Sequence, residues 1–406
     1  MPSAAALPSL SSLSQIQFQP PPHPALRVSV VVPVRDEEEA LPAALAALAH
    51  QIDAQGVPLD PACYEVLVLA NNCRDSSAAL ARRFGRHRPC FALHVVEATL
   101  PPLCANIGTA RRLAMDAACR RLLWVGRPGG VIASTDGDVE VARDWLFQTL
   151  REFGRGADAV GGCIRTQFKQ GNDPEARRYA RLDRTYQHGL SRLEALVDPD
   201  ASDPWPRHHQ FFGGSLAVTA DAYCRAGGLP AVSCLEDVAL EHALARQDFH
   251  VRHSPHVRVR TSARQAGRAT LGLSTQLRDW GEMGRANIPH LVQQPQAIEV
   301  RLRARAVLRH WRQASAEGQM PGSDQIAGLA EQLAVPCSLL HAGLGQPHQP
   351  FGALWAQVMA HHAESHGPWA QRWPLWEITR ALPDLKARLA CSAKAVGEEK
   401  AAPTLA

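Results

Sequence analysis

Short apolar runs rich in β-branched residues alternate with helical segments in the first half of this chain, and the alternation limits its possible folds. Three such runs are Val28–Pro33, Tyr64–Ala70 and Val131–Thr135. They are apolar on both faces, which is typical of strands buried in a parallel sheet. Between the first two, Glu37–His50 carries leucines at helical spacing. Alternating strands and helices predict an α/β fold with a mostly parallel sheet and right-handed crossovers.

The remaining predicted elements fall into two groups. The first group continues the alternation with the strands Phe91–Val96 and Ala157–Cys163 and the helices Ser76–Phe84, Ala105–Leu123 and Trp145–Phe153. The second comprises the helices Glu175–Val197 and Asp237–Arg246, a short strand after the Gly-Gly turn of Phe211–Thr219, and one or two strands within Phe249–Arg260. We predict a disordered arm over residues 1–26, a sheet domain over 27–270, a helical C-terminal region over 271–393 with tryptophans as core anchors, and a disordered tail over 394–406.

The composition excludes several classes of protein. The chain has 406 residues, 46% of them hydrophobic, which is enough for one large domain or for a large domain with a smaller partner. A net charge of +4 gives no reason to expect nucleic acid or an anionic membrane as a partner. No apolar stretch reaches the roughly 18–20 residues of a membrane-spanning helix. The 10 cysteines form no C-x-x-C pair, so we expect a cytoplasmic protein with reduced thiols.

An acidic triplet, Asp136-Gly137-Asp138, follows the run Val131–Thr135 directly. In an open α/β sheet this end of a strand is where ligands bind. Two carboxylates so close repel each other unless a cation lies between them, and a hard divalent cation would in turn hold a diphosphate. The alternative interpretation is an ordinary acidic turn, because Asp and Gly favour turns.

Polar residues also follow the first strand. Pro33 has no N–H to donate to a ladder and is expected to end that strand. Val34, Arg35 and Glu37 then lie at the carboxyl edge of the sheet, where polar groups can meet a ribose or a base. Alternatively, Asp36 caps the next helix and Glu37 lies in its first turn.

The second strand ends at Asn71 and Asn72. Consecutive amides can read the edge of a base, because each offers donors and an acceptor. A turn in which Asp75 caps the next helix is the alternative. The long helix before the acidic triplet opens near Gly108, which allows close backbone approach to a ligand. It carries Arg111, a candidate contact for a phosphate.

These motifs occur in one order, P-V-R-D-E, N-N-C-R-D, G-T-A-R and T-D-G-D. The ordered set resembles the family 2 glycosyltransferases of the GT-A fold, whose N-terminal half begins with a P-x-x-N/D-E element and reaches a D-x-D. The resemblance covers roughly Arg27–Arg268. It implies a Rossmann-like nucleotide-diphospho-sugar transferase domain with a helical C-terminal extension. The implied donor contacts are Pro33, Val34, Arg35, Glu37, Asn71, Asn72, Arg111, Asp136, Gly137 and Asp138.

Two motifs further along the chain extend the resemblance. Gly213, Gly214 and Ser215 resemble the acceptor-side loop of the family. Glu236-Asp237 resembles its E-D motif, in which the Asp is the usual candidate base. The resemblance therefore implies that Asp237 deprotonates the acceptor and that Glu236 lies on the acceptor side.

The resemblance also implies a metal ion, Mg²⁺ or Mn²⁺, held by Asp136 and Asp138. His256 is the candidate for a third metal ligand, since some enzymes of this fold add one from this part of the chain. The alternative is an ordinary hydrogen-bonded histidine near a strand.

The chain departs from the family pattern in two places. Many members have an Asp that contacts the base where this chain reads Ala70-Asn71-Asn72, so the identity of the base stays open. The Q-x-x-R-W motif of the processive synthases is absent, and Thr261–Arg264 occupies that region. Without this motif and without membrane helices, we expect a non-processive enzyme.

The expected function is the transfer of a sugar from a nucleotide-diphospho-sugar to a hydroxyl of an unknown acceptor, with the inversion that the resemblance implies. One alternative is a sugar-phosphate nucleotidyltransferase, which would need a Gly-rich basic loop where Val34–Glu37 is acidic. The other is a degenerate, non-catalytic binding protein, against which the retained Asp136, Asp138 and Glu236-Asp237 count. The C-terminal tryptophans are expected to pack on the sheet domain or to form a contact in a homo-oligomer.

Overall fold

The computed structural model describes residues 16–88, 92–267, 271–346, 348–364 and 366–395 of the chain. The chain divides into two compact units. The sheet unit comprises the described parts of residues 1–172, 210–244 and 249–278, and the helical unit comprises those of residues 173–209, 245–248 and 279–406.

An eight-stranded mixed sheet forms the centre of the sheet unit. Its strands are β1 (Val28–Val34), β2 (Tyr64–Asn71), β3 (Ala92–Ala98), β4 (Val131–Ser134), β5 (Val139–Val141), β6 (Ala159–Gln167), β7 (Leu216–Thr219) and β8 (Val251–Ser262). Their order across the sheet is β3-β2-β1-β4-β7-β6-β8-β5. β3, β2, β1 and β4 are parallel, and so are β6 and β8, whereas β7 and β5 are antiparallel to their neighbours. The predicted α/β fold with a mostly parallel sheet is confirmed.

Helices connect these strands and make up most of the helical unit. In chain order they are α1 (Leu41–Ala49), α2 (Ser77–His87), α3 (Ile107–Trp124), α4 (Trp145–Phe153), α5 (Pro174–Val197), α6 (Ala220–Arg225), α7 (Glu236–Ala245), α8 (Leu273–Arg285), α9 (Pro295–Ala316), α10 (Ser323–Leu333), α11 (Cys337–Leu344), α12 (Phe351–Glu364), α13 (His366–Arg372) and α14 (Ile378–Ala395). A two-stranded antiparallel sheet of β9 (Leu291–Val292) and β10 (Trp376–Glu377) lies in the helical unit. Within the described ranges, none of the helices is both long and apolar enough to cross a membrane.

Apolar residues cover both faces of the central strands. Val30 and Val32 of β1 belong to one core cluster together with Leu45 of α1, whereas Val31 belongs to another together with Met115 of α3. Successive side chains of a strand point to opposite faces. The two clusters therefore lie on the two sides of the sheet, and β1 and β2 are buried along their whole length.

Pro33 does not end β1, contrary to the prediction. It lies within the strand, opposite Leu69 of β2. The ladder between β1 and β4 extends only from Val28 to Val31, so Pro33 lies beyond it. Proline is tolerated in a strand where one side has no ladder partner, and β1 continues to Val34.

The segment before β1 is ordered over its described part, which corrects the predicted arm over residues 1–26. Phe18 is 4% exposed and Leu26 is 1% exposed, and both belong to the core. Arg121 of α3 donates hydrogen bonds to the carbonyl oxygens of Phe18 (2.7 Å) and Pro20 (2.9 Å). Residues 16–26 are thus part of the sheet unit, while residues 1–15 lie outside the described residues.

The helical unit begins earlier in the chain than the predicted boundary at residue 270. α5 belongs to it, because Tyr186 and Leu193 of α5 share an apolar cluster with Leu302 of α9 and Leu385 of α14. The helical unit is therefore only partly a C-terminal extension. At the other end, α14 includes Lys394 and Ala395, so the predicted tail begins too early, and residues 396–406 lie outside the described residues.

The tryptophans of the helical unit contribute to its cores unequally. Trp280 and Trp369 are buried, while Trp311 and Trp355 are partly buried against a second apolar cluster of α9 to α12. Trp376 lies in β10 and not on the helix that carries Trp369.

Candidate active site

The segments that follow β1, β2 and β4 meet at one edge of the sheet. These strands are parallel, so their carboxyl ends lie together, as in other α/β sheets that bind ligands there. The acidic triplet connects β4 to β5. A Cβ at Gly137 would lie 3.1 Å from Cγ2 of Val34 and 3.4 Å from Cγ of Glu37. The first and the fourth sequence motifs are therefore in contact through a position where only glycine fits without displacing a neighbour.

Arg111 is buried and connects four parts of the site. Its guanidinium donates hydrogen bonds to Asp136 Oδ1 and to Glu236 Oε1, each at 2.9 Å. It also donates to Ser134 Oγ (2.6 Å) and to the carbonyl oxygen of Gly213 (3.0 Å). Burial alone would lower the pKa of Arg111, but Asp136 and Glu236 raise it above its usual value. These contacts make Arg111 a residue that positions the two carboxylates, rather than the phosphate contact expected from the sequence.

The Gly-Gly turn lies against this arginine. A Cβ at Gly213 would be 2.3 Å from the guanidinium carbon of Arg111, and one at Gly214 would be 3.3 Å from Asp136 Oδ2. The hydroxyl of Ser215 accepts a hydrogen bond from Nε1 of Trp145 at 3.0 Å. The small residues thus allow the Gly-Gly turn to approach the acidic triplet, while Ser215 is hydrogen-bonded to Trp145 of α4.

Asp138 pairs with an arginine that lies much further along the chain. Arg264, two residues after β8, lies 2.9 Å from Asp138 Oδ2. It also donates two hydrogen bonds to the carboxylate of Glu37, at 2.8 and 2.6 Å. The i, i+4 spacing of Arg264 and Arg268 would place them on one face if this segment were a helix. Arg264 is not in a helix, and Arg268 lies outside the described residues.

The carboxylate of Asp138 is in an environment that disfavours its charge. Burial raises the pKa of Asp138 to about 6, and the nearby Asp136 and Glu37 act in the same direction, against the effect of Arg264. Carboxylate oxygens are the ligands that Mg²⁺ and Mn²⁺ prefer. Asp136 and Asp138 therefore suit a divalent cation in their chemistry, and a cation there would offset the repulsion of Asp138 by Asp136 and Glu37.

Asp237 lies beside the Gly-Gly turn at the start of α7. Its Oδ2 accepts a hydrogen bond from the N–H of Gly213 (2.8 Å), and its Oδ1 accepts one from the N–H of Val238 (2.8 Å). Burial raises the pKa of Asp237, as does the neighbouring Glu236, while the N–H of Gly213 opposes the shift. A carboxylate with a raised pKa is a better proton acceptor than an ordinary one.

The sequence leaves open whether Asp36 caps the next helix, and in the structure it does not. It has a left-handed backbone (φ 53°), and its Oδ1 accepts a hydrogen bond from the N–H of Arg74 at 2.6 Å. The helix that was expected from Glu37 begins at Leu41 without a side-chain cap. Asp36 therefore joins the segments that follow β1 and β2.

The two asparagines after β2 differ in their surroundings. The amide of Asn72 accepts from the N–H of Leu100 and donates to its carbonyl oxygen, both at 3.0 Å. Asn71 is 3% exposed, and its Oδ1 has no hydrogen-bond partner among the described residues. Arg35 donates to the carbonyl oxygen of Ala105 at 2.9 Å. Asn71, Asn72 and Arg35 are candidate contacts for the sugar donor. Of the three, Asn71 has a buried oxygen without a hydrogen-bond partner among the described residues, and a ligand could donate a hydrogen bond to it.

His256 is not brought to the acidic triplet, and this corrects its assignment as a third metal ligand. It lies in an irregularity of β8 between Ser254 and Arg258. Val139, next to Asp138, pairs with Thr261 of β8. Thr261 comes five positions after His256, which corresponds to roughly 16 Å along the strand. Burial lowers the pKa of His256, and nearby arginines contribute to the shift.

The α/β sheet holds a carboxylate pair at the edge where such sheets bind their ligands. Residues 29–205 match the family model described as Glycosyl transferase family 2. Over this segment, which holds the first four motifs of the sequence analysis, the chain is therefore similar to the glycosyltransferases of family 2. A comparison with curated proteins found no match.

Several solved structures are similar to the chain at low identity. The mannosyltransferase PcManGT from Pyrobaculum calidifontis, in complex with GDP-Man and Mn²⁺, is 18% identical over 95% of this chain and 92% of its own, with a TM-score of 0.43. TarS residues 1–349 from S. aureus, in complex with UDP, is 13% identical over 84% of this chain and 92% of its own, with a TM-score of 0.41. Glucosyl-3-phosphoglycerate synthase from Mycobacterium tuberculosis is 18% identical over 66% of this chain and 82% of its own, with a TM-score of 0.34.

Proposed function

We propose that this protein is a family 2 glycosyltransferase that takes a sugar from a nucleotide-diphospho-sugar and transfers it to an acceptor hydroxyl with the help of Mg²⁺ or Mn²⁺. The observation that carries the proposal is the carboxylate pair Asp136 and Asp138 at the carboxyl end of β4. Each carboxylate is ion-paired with an arginine from another element, Arg111 or Arg264. These pairs hold both carboxylates at the edge where an α/β sheet binds its ligand.

Asp136 and Asp138 would hold the cation. Bound there, the cation would supply a Lewis acid and a positive charge for the leaving diphosphate. Arg264 would be a second positive charge near the diphosphate, since its guanidinium is ion-paired with Asp138 and Glu37. Arg111 acts indirectly, because it holds Asp136 in place through a buried hydrogen bond.

The nucleotide is proposed to bind along the carboxyl ends of β1 and β2. The buried Oδ1 of Asn71 would accept a hydrogen bond from the base, which removes the cost of an unpaired buried acceptor. Pro33, Val34 and Gly137 are proposed to line the nucleotide beside it, and Arg35 is proposed to contact the ribose or the phosphates. The identity of the base follows from none of these contacts.

Asp237 is the proposed base. Its carboxylate is held by the N–H of Gly213, which places it beside the Gly-Gly turn on the side proposed for the acceptor. It would take the proton of the acceptor hydroxyl as that oxygen attacks the anomeric carbon. Attack opposite to the leaving diphosphate inverts the anomeric carbon, so we propose an inverting enzyme. The absence of the Q-x-x-R-W motif from the sequence supports a non-processive one.

A panel of nucleotide-diphospho-sugars tests the proposed function. We expect slow hydrolysis of one donor, seen as release of the nucleoside diphosphate, that requires Mn²⁺ or Mg²⁺ and stops in EDTA. Exchange of pyrophosphate into the nucleotide-sugar would instead indicate a nucleotidyltransferase. Donor binding without turnover for any acceptor or water would indicate a binding protein. With an acceptor identified, NMR of the anomeric proton in the product decides between inversion and retention.

A further inference from the structure

A cleft of about 530 Å³ lies within the helical unit, apart from every residue assigned to the candidate active site. It is formed by α5, by α9 and by the segment that includes β9. Its apolar side includes Leu190, Ile298 and Leu302, and its polar side includes Gln187 and Arg301. Small-molecule sites commonly have volumes of about 300–1,000 Å³ with an apolar wall and a few polar groups. The cleft has this size and this composition.

Arg301 is the unusual residue of the cleft. Its guanidinium donates one hydrogen bond, to Oε1 of Gln293 at 2.6 Å, and no described carboxylate pairs with it. Three other arginines of α9 do pair with carboxylates: Arg303 with Glu299, and Arg305 and Arg309 with Asp198. Burial lowers the pKa of Arg301, and only the phenol of Tyr186 acts in the opposite direction. The guanidinium is partly exposed, so an anion that enters the cleft can reach it.

The two carboxylates in the wall of the cleft contact other residues. Glu194 pairs with Arg305 (2.6 Å) and with Arg207 (2.9 Å), and Asp183 lies 3.5 Å from the ring of His290. Neither carboxylate is paired with Arg301. Guanidinium groups bind phosphates and carboxylates through paired hydrogen bonds.

We propose that this cleft binds a small organic anion, with its phosphate or carboxylate group on Arg301 and its body against Leu190, Ile298 and Leu302. The volume suits a body of the size of a monosaccharide. The proposal is independent of the proposed function, because it uses no residue of the candidate active site and requires no metal.

Calorimetric titration of the full chain in EDTA tests the proposal. The probes are glucose 6-phosphate, glucuronate and the uncharged glucose, each up to about 10 mM, which reaches millimolar affinities. We expect saturable binding of the phosphate ester, of the carboxylate or of both, and none of glucose. The first two probes distinguish a phosphate ligand from a carboxylate ligand. EDTA suppresses metal-dependent donor binding, so failure of the proposed function would leave the result unchanged.

Two variants with a matched control connect the binding to the cleft. Arg301→Gln should weaken the binding of the anion at least tenfold, an effect expected from the loss of charge-assisted hydrogen bonds. Gln187→Trp should block binding by filling the cleft, and it keeps the test valid if the first variant folds poorly. Arg303→Gln, on the exposed side of the same helix, should bind as the unchanged chain does. Binding of glucose as tight as that of the anions, anion binding that survives both variants, or no saturable binding of any probe would overturn the proposal.

Discussion

Arg111 and Arg264 each connect carboxylates that lie far apart in the chain. Arg111 joins Asp136 to Glu236, and Arg264 joins Glu37 to Asp138. Buried ion pairs of this kind cost much of their Coulomb energy in desolvation, and breaking one partner leaves a buried charge. At the scale of single residues, the site is therefore a network in which the loss of one charge leaves the neighbouring charges without their partner.

Replacing Asp138 tests the proposed cation site. In Asp138→Asn, Arg264 keeps its contacts with Glu37, but one of the two carboxylates that would hold the cation is gone. We expect the affinity for Mn²⁺ in the presence of donor to fall at least about a hundredfold, the upper end of losses seen for residues that merely orient a metal ligand. Titration calorimetry measures this. Glu140→Gln changes an exposed residue of β5 and is the control. It should bind Mn²⁺ with the affinity of the unchanged chain. Unchanged Mn²⁺ affinity in Asp138→Asn would contradict the site.

The pH dependence of metal binding follows from the same residue. The pKa of Asp138 is raised to about 6 by burial and by Asp136, and the protonated group cannot hold a metal. We expect Mn²⁺ affinity to be level above pH 7 and to fall by up to about tenfold per pH unit below the pKa. A carboxyl with an ordinary pKa would show no decline between pH 7 and pH 5, and such a flat profile would contradict the shift. In the metal-free chain the raised pKa favours folding at low pH, and this contribution is lost as the pH rises through about 6.

Replacing Asp237 separates catalysis from donor binding. Asp237→Asn keeps an oxygen that can accept the hydrogen bond from Gly213 but removes the proton acceptor. We expect kcat to fall at least about a hundredfold, within the usual range for a general base, with the donor Kd unchanged. Glu241→Gln, in the same helix and paired with His253, is the control. Donor binding that disappears together with activity would show that Asp237 has a structural role.

At the scale of elements, one buried ion cluster joins strands and a helix of the sheet unit. Glu65 of β2 accepts hydrogen bonds from Arg121 of α3 (2.8 and 2.7 Å) and from Ser29 of β1 (2.6 Å), and His94 of β3 lies 3.4 Å away. Burial by itself would raise the pKa of Glu65, but the hydrogen bonds from Arg121, His94 and Ser29 lower it to about 2. The remaining donors of Arg121 hold the segment before β1.

This segment provides a test of stability. A chain that starts at Ala25 loses the buried side chain of Phe18 and the carbonyl partners of Arg121. We expect it to be less stable by at least about 3 kcal/mol, the lower value for removing a buried phenylalanine. Denaturant unfolding, compared with a chain that starts at Ile16, measures the difference, and Phe18→Ala should account for most of it. Equal stability of the two chains would show that residues 16–24 are dispensable.

At the scale of the whole molecule, the two units are interleaved in sequence. Residues 173–209 leave the sheet unit to join the helical unit, and the chain then returns to complete β7 and β8. The apolar face of α5, with Tyr186 and Leu193, is buried in the cluster shared with α9 and α14. A boundary drawn at one point of the sequence therefore cannot separate the units.

Truncation tests this interleaving. A chain that ends at residue 278 keeps α5 but lacks α9 and α14, so the buried face of α5 would be exposed to water. We expect this chain to be insoluble or to aggregate in size-exclusion chromatography. Co-expression with a second chain of residues 279–395 should restore solubility by covering that face. A soluble, monomeric and active 16–278 chain would contradict the shared cluster.

The sequence by itself determined the class of fold and the candidates for the site. The period of apolar residues sets which segments form strands and helices, and the parallel order of β1, β2 and β4 brings the segments after them to one edge. The positions of Asp136, Asp138 and Asp237 could be predicted for this reason, since a motif at a strand end or helix start is local.

Only the tertiary structure determined which charged residues of the site pair with each other. Glu37 and Arg264 are 227 residues apart, and Arg111 and Glu236 are 125 apart, so no local pattern indicates their contacts. The same limit explains why Phe18 was assigned to a flexible arm, why α5 was assigned to the sheet domain and why His256 was considered as a metal ligand. Burial and ion pairing depend on which distant segments pack together, whereas strands and helices depend on the hydrogen-bonding period of a short stretch of chain.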